Sequence, residues 1–346
     1  MLILVVNSGS SSLKYTLFHE DEESASGLIE KIGEPMSHFS CKVGDQKKNL
    51  PSRHVADHEQ AIELMMAQMI ADKVIARPED IFAVGHRVVH GGPDYTDAAL
   101  VDDKVRGNEV AKELAPLHKP NYTGLDACVK MLPQTPQVAV FDTAFHQTMP
   151  PKAYIYALPY RFFTDYNIRR YGFHGTSHKY VAARAAELLR KKPQALNLIT
   201  LHLGNGSSLS AVAGGCCVDT SMGLTPLAGV VMGSRTGDLD PAIVPFIMDR
   251  EKLTPSQMDR LMNKESGILG LSGVSNDLRE VIARAEEGHE RSQLALDVFG
   301  YSIQKYIGAY HAVLGGAHAL VFTAGIGEKS PYLRELICRG LVGLGV

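Results

Sequence analysis

The chain has 346 residues, 45% apolar and 21% charged, with 32 Gly and 17 Pro. That length exceeds what one hydrophobic core usually holds, so two domains are expected, and the balance excludes a disordered or fibrous chain. Thirty-five Lys and Arg stand against 38 Asp and Glu, a formal charge of −3. No global field therefore favours nucleic acid or an anionic membrane, and any anion site must be local.

The N-terminus opens with a five-residue apolar run, Leu2 to Val6, which lacks a basic leader and breaks at once into polar residues. It reads as neither signal peptide nor membrane span. Instead the run suits a buried strand, NSGSSS suits a tight turn, and Leu13, Tyr15 and Leu17 alternate with Lys14, Thr16 and Phe18 as in a returning strand. From His58 to Asp72, Ile62, Met65, Met66, Met69 and Ile70 recur at helical spacing, a stripe that reads as core packing. IFAVGHRVVHGG is a strand carrying Arg87 and His90 into a glycine turn, and QVAVFDTAFHQ is a strand delivering Asp142 at its end. The prolines of MPPKAYIYALPY place a domain boundary near Pro150.

Beyond the boundary, a helix is predicted from near Ser177 to before Pro193, with Val181, Ala185, Leu188 and Leu189 on its buried face. LNLITLHLGNGSSLSAV then repeats the opening pattern of apolar run, Gly/Asn/Ser turn and second run. Leu294 to Leu314 reads as a long helix, and ALVFTAGIGEKS as a strand emptying into a third glycine turn at Gly325 to Lys329. The five cysteines, Cys41, Cys128, Cys216, Cys217 and Cys338, show no C-x-x-C spacing, and the adjacent pair would strain a disulfide. A reduced, cytoplasmic chain is expected.

Turns built of Gly and Ser expose several backbone N–H groups and hydroxyls in one direction, which makes a nest for phosphate oxygens without net charge. One such turn alone reads equally well as a plain hairpin. Two copies opening two domains favour phosphate. The chain has no Gly-Lys dipeptide and so no P-loop, and Gly204-x-Gly206 and Gly325-x-Gly327 both lack the third glycine of a dinucleotide fingerprint. His174 and His178 in HGTSH lack the glutamate of a zinc-peptidase motif, and GSRTG puts Arg235 where a hydrolase would have serine. What remains is Arg87, His118, Asp142, His174, His202 and Arg235, each beside glycine, proline or a strand end. Two arginines and a histidine suit the equatorial oxygens of a transferring phosphoryl group.

In order and spacing, NSGSSSLKY, GHRVVHGG, FDTAFHQTMP, RRYGFHGTSHKYV, HLGNGSSL, DTSMGLTPLAGVVMGSRTGDLDPAI, SGVSND and TAGIGEKSP resemble the acetate kinase family nearly end to end. The resemblance implies an α/β fold of two duplicated domains of the actin-like ATPase (ribonuclease H-like) type around a central cleft. Residues 1–150 would form the N-terminal domain and residues 151–346 the C-terminal nucleotide-binding domain. It further implies a homodimer that transfers phosphate from ATP to acetate with Mg²⁺, for which Mn²⁺ can substitute, and that involves neither nucleic acid nor membrane.

Residue by residue, the resemblance puts the metal contact on Asn7, a nucleotide-contacting lysine on Lys14, and the acid/base aspartate on Asp142. The transition-state stabilisers fall on His174 and Arg235, and the substrate contacts on Arg87 and His118. The apolar pocket for the substrate methyl maps to Val89, Leu117, Phe173 and Pro226. ATP contacts map to His202, Leu203, Gly204, Asn205 and Gly206, to Asp277, Leu278 and Arg279, and to Gly325, Ile326, Gly327, Glu328 and Lys329.

The family continues for several dozen residues past the point where this sequence ends in LICRGLVGLGV. That segment brings a magnesium-binding glutamate and a helix that packs on the N-terminal domain. An incomplete metal site and an uncovered apolar groove on residues 1 to 150 are therefore expected. Since a carboxylic acid is ionised at neutral pH, the nucleophile needs no general base, and Asp142 is expected to orient an arginine or a metal-bound water. The competing readings are a kinase of propionate or butyrate, a non-enzymatic nucleotide-binding protein of the actin and chaperone superfamily, and an inactive shortened form. Val89, where a smaller residue could stand, points to acetate.

Overall fold

Alternation at the N-terminus becomes a hairpin: β1 (Leu2–Ser8) turns back into β2 (Ser12–His19), with Asn7 opposite Lys14 across the pair. The structure, a computed structural model, describes residues 1–108 and 119–345 and divides into two compact units, Met1–Ala144 and Phe145–Val346. In the first, β3 (Glu22–Glu30), β4 (His38–Val43) and β5 (Gln46–Asn49) extend the antiparallel meander. Next, β6 (Ala83–Val88) lies parallel to β1, and β8 (Gln137–Phe141) parallel to β6, with the short β7 (Ala99–Leu100) at the edge. The order is β5-β4-β3-β2-β1-β6-β8-β7.

Leu13, Tyr15 and Leu17 are buried and Lys14 is exposed, so the period of two in the sequence is the period of the pleat. The helix His58–Ala71 starts where the Asp57 carboxylate accepts a hydrogen bond from the Gln60 N–H at 2.9 Å. Its Ile62, Met65, Met66 and Met69 join Leu4, Val6 and Leu17 in one core, which makes the methionine stripe packing. Ile70, at the margin of that stripe, is 38% exposed.

In the second unit, β9 (Asn197–Leu203), β10 (Ser207–Ala213) and β11 (Cys216–Thr220) form a meander, and β12 (Ala319–Thr323) lies parallel to β9. The order β11-β10-β9-β12 thus repeats the hairpin followed by a parallel strand that β1, β2 and β6 make in the first unit. The long helix Glu290–Leu314 lays Leu296, Phe299, Ile303 and Ile307 against Ile199, Leu201 and Leu209.

Two sequence expectations are corrected here. The helix Gly175–Leu188 buries His178, Ala182, Ala185 and Ala186, not Val181, Leu188 and Leu189; Leu188 is 78% exposed. A polar residue, His178, heads the buried stripe, so a pattern sought in apolar residues alone takes the wrong phase. The Gly325–Lys329 segment is also no turn: it lies in the short helix Ala324–Lys329, entered through Ala324 at φ +63°. All five cysteines are free thiols.

Candidate active site

In the first unit, parallel pairing aligns Arg87 with Val140 and brings Asp142 just past the end of β8. Arg87 Nε donates to Asp142 Oδ1 at 3.0 Å and Nη2 donates to Oδ2 at 2.6 Å. This fork is charge-assisted and fixes the plane of the guanidinium. The Asp142 side chain is 3% exposed against 41% for Arg87, so the carboxylate holds the arginine from below while its outer edge meets solvent. The charge of Asp142 pushes the Arg87 pKa up.

Asn7, the last residue but one of β1, is half-buried, and its amide makes no hydrogen bond among the described residues. A Mg²⁺ ion that arrives with nucleotide takes most of its ligands from phosphate and water. The unengaged amide oxygen of Asn7 fits such a minor role. Among the described residues no three His, Cys, Asp or Glu side chains group as a metal site. Lys14 is exposed on β2.

Asn121, on the helix Lys119–Met131, links two site segments: its Nδ2 donates to the Ser8 carbonyl at 2.5 Å and its Oδ1 accepts from the Val89 N–H at 3.2 Å. Nothing in its sequence surroundings marked it, since both bonds are to backbone far along the chain. Leu117 and His118 lie outside the described residues.

In the second unit, the β9–β10 turn is closed by the Gly204 N–H donating to the Gly206 carbonyl at 3.2 Å. A Cβ on Gly206 would stand 3.3 Å from Arg235 Nη1 and 3.6 Å from His174 Nε2. Glycine therefore lets a guanidinium and an imidazole converge on one stretch of backbone. Arg235 Nη1 donates to the Pro226 carbonyl at 3.1 Å, and no carboxylate pairs with it among the described residues. Burial pulls its pKa down from the ordinary value, the opposite of Arg87. Phe173 is buried, and its carbonyl is 2.9 Å from His146 Nε2. Val89 belongs to the first unit, Phe173 and Pro226 to the second.

His174 is the N-cap of the helix Gly175–Leu188 at φ +58°, a left-handed conformation that costs a non-glycine residue about 1–3 kcal/mol. Its ring stacks on His202 with centroids 4.1 Å apart, and His202 Nδ1 is 2.8 Å from the Ser177 hydroxyl.

Beside the turn lies a cavity of about 650 Å³ lined by Gly204, Asn205, Asn276, Asp277, Leu278, Arg279, Gly325, Ile326 and Lys329, among others. That is the size range of a small-molecule pocket. Leu203 and Gly327 are buried, and the exposed Glu328 accepts from the Thr323 hydroxyl at 3.2 Å. Asp277 caps the helix Leu278–Glu286 by accepting from the Arg279 N–H at 2.9 Å, and it pairs with the Arg279 side chain at 2.6 Å. That pairing holds its carboxyl below the usual range. The Asn276 amide donates to Asn205 Oδ1 at 3.2 Å, tying the loop before this helix to the turn. Asn276 was missed by motif reading because its partner is a single side chain 71 residues away.

Two repeated hairpin sheets, a glycine turn under an arginine with no carboxylate partner among the described residues, and an adjoining cavity define a nucleotide-dependent kinase of the actin-like ATPase fold. The chain belongs to the acetokinase family, whose model matches residues 2–346. It is 54% identical over 353 aligned positions to an acetate kinase of Treponema denticola, covering 100% of this chain and 89% of the relative. The crystal structure of Porphyromonas gingivalis acetate kinase superposes with a TM-score of 0.94 at 43% identity, covering 100% of this chain and 88% of that one. A propionate kinase from Francisella tularensis superposes with a TM-score of 0.93 at 40% identity, covering 99% and 88%.

Proposed function

We propose that the chain transfers the γ-phosphoryl group of ATP reversibly to acetate, giving acetyl phosphate and ADP. A carboxylate oxygen forms the new bond to phosphorus while the bond to the β–γ bridging oxygen breaks and its electron pair leaves with ADP; no proton is consumed. The difficulty is anion meeting polyanion, so the protein's work is positioning and charge neutralisation. The observation that carries the reading is Arg235: a partly buried guanidinium with no carboxylate partner among the described residues, set with His174 over Gly206 beside the cavity.

Arg87, locked by Asp142, receives the carboxylate of the substrate, since its fork matches a carboxylate's two oxygens. Asp142 serves as an orienter and not as a base, because both its oxygens already accept from Arg87. His174 and Arg235 oppose charge on the phosphoryl oxygens. ATP lies along His202 to Gly206, Asp277 to Arg279 and Gly325 to Lys329, with Lys14 as a further nucleotide contact. Mg²⁺, for which Mn²⁺ can substitute, would meet Asn7 and supplies charge neutralisation on the phosphates when bound. The sequence resemblance assigns Val89, Leu117, His118, Phe173 and Pro226 to recognition of the acceptor.

The division into residues 1–150 and 151–346, a homodimeric state and a cytoplasmic location belong to the same proposal. They rest on the sequence resemblance and, for the location, on five free thiols. A second reading, propionate as acceptor, is favoured by the likeness to the Francisella propionate kinase; one methylene is worth only about 1–3 kcal/mol in an apolar pocket.

The test is Arg235→Ala. It should lower kcat by on the order of 10²–10³ while ATP affinity stays within a few fold, as for a group acting mainly in the transition state. Near-normal kcat with lost substrate affinity would refute the assignment.

A further inference from the structure

His178, set aside as a metal motif, is fully buried in the helix Gly175–Leu188, and both its ring nitrogens meet hydroxyls. Nδ1 is 2.7 Å from Thr200 Oγ1 and Nε2 is 2.8 Å from Ser208 Oγ. The same Ser208 oxygen is 2.8 Å from Nδ1 of His174. Thr200 and Ser208 are fully buried as well. Resting on the reading of His174 as a phosphoryl-facing group, we propose that the Thr200–His178–Ser208 chain fixes the His174 tautomer with its proton on Nε2, making His178 and Ser208 positioning residues of the kinase.

Counting hydrogens leads there. Three links join four groups, and each link needs one hydrogen. A hydroxyl has one, and so does a neutral imidazole; among the described residues the Ser208 hydroxyl meets no acceptor but the two ring nitrogens, so its hydrogen goes to one of them and the chain runs in one of two directions. In the first, Thr200 donates to His178 Nδ1, His178 Nε2–H donates to Ser208, and Ser208 donates to His174 Nδ1. A neutral His174 then carries its proton on Nε2. In the second every bond is reversed, His174 Nε2 bears a lone pair, and the Thr200 hydrogen must go elsewhere. Its other acceptor is the Ser210 carbonyl at 3.4 Å, beyond the range of a good hydroxyl bond. The first direction uses the shorter contact.

Charge points the same way, because a doubly protonated His174 fits only the second direction. His174 caps the positive end of a 14-residue helix, lies near the Arg235 guanidinium over Gly206, and stacks on His202. The helix end and the guanidinium both oppose a further positive charge. His178 faces His146, His174 and His202, and these with its burial hold it neutral. The Nε2 edge of His174 faces the point above Gly206 that Arg235 Nη1 also approaches. There an N–H donates to a phosphoryl oxygen, whereas a lone pair would repel it. Fixing an imidazole tautomer from behind is the role the aspartate plays in serine-protease triads.

The test combines kinetics with ¹⁵N NMR of the histidine-labelled full chain, the His174 signal being assigned by its loss in His174→Ala. The wild-type protein should show His174 protonated at Nε2; an Nδ1–H signature there overturns the proposal. Ser208→Ala should mix the two tautomers and lower kcat by about 10–100-fold, with KM for ATP and acetate within a few fold. His178→Gln, which retains an N–H donor toward Ser208, should keep the Nε2–H signature and lose less kcat than Ser208→Ala. Combined with His174→Ala, Ser208→Ala should cost nothing further. An equal loss in both backgrounds means a structural role only and overturns the relay, as does Ser208→Ala with unchanged kcat and tautomer while His174→Ala is impaired. A fully active His174→Ala instead refutes the reading of His174, and the wild-type spectrum still decides the tautomer.

Discussion

Arg87 and Arg235 are the same residue type put to different uses by their surroundings. Asp142 neutralises and aims the first, whereas the second has no counter-ion among the described residues and is partly desolvated. Both stood out in the sequence because an arginine at a strand end or in a glycine-rich turn has no packing reason to be there. Ser208 and His178 did not, since a serine in an alternating strand and a histidine in a helix look ordinary until their partners, 30 residues apart, are seen. Asn121 was invisible for the same reason. The proposed size preference rests at this scale on Val89, whose backbone N–H donates to Asn121. Val89→Ala keeps that N–H and removes two methyl groups, and it should move the kcat/KM ratio toward propionate by roughly tenfold. Competition kinetics with the two acids measure this, and an unchanged ratio would place Val89 outside the pocket.

Elements were legible where hydrophobicity alone sets the period. The β1–β2 hairpin, the methionine-striped helix and the strands that deliver Arg87 and Asp142 all follow from alternation or 3.6-residue spacing. The helix Gly175–Leu188 was phased wrongly because its buried face is built of His178 and small alanines, which pack against Leu196, Leu198 and Val212. Its leucines face outward. The two faces should therefore answer oppositely to the same charge. Leu188→Glu, at a position 78% exposed, should change stability by no more than about 0.5 kcal/mol. Ala186→Glu, at 2% exposure, should cost several kcal/mol or abolish folding, because an unpaired carboxylate would be buried. Urea unfolding of both variants decides it; comparable losses would mean that the face is misassigned.

Across the whole chain, each unit repeats a hairpin and a parallel strand, and each keeps at least one buried histidine neutral: His86 in the first, beside Gln137 at 2.7 Å, and His178 in the second. Burial lowers both pKa values below the ordinary 6.5, so the unfolded chain binds protons there that the folded chain refuses. Stability from these groups is present above about pH 6.5 and declines as the pH falls below it. Denaturant midpoints recorded from pH 7.5 down to 5 should fall steadily, and a midpoint that rises over that range would contradict the neutral assignment. The duplication was readable in the sequence because the turn residues repeat with the strands. The kinase claim itself rests on product formation. With ATP, Mg²⁺ and acetate, the chain should form acetyl phosphate, trapped as the hydroxamate, in one-to-one ratio with ADP, and Arg235→Ala should lose nearly all of that turnover while still binding ATP. ADP release without acetyl phosphate, or ATP binding with no turnover on any short-chain acid, would contradict the account.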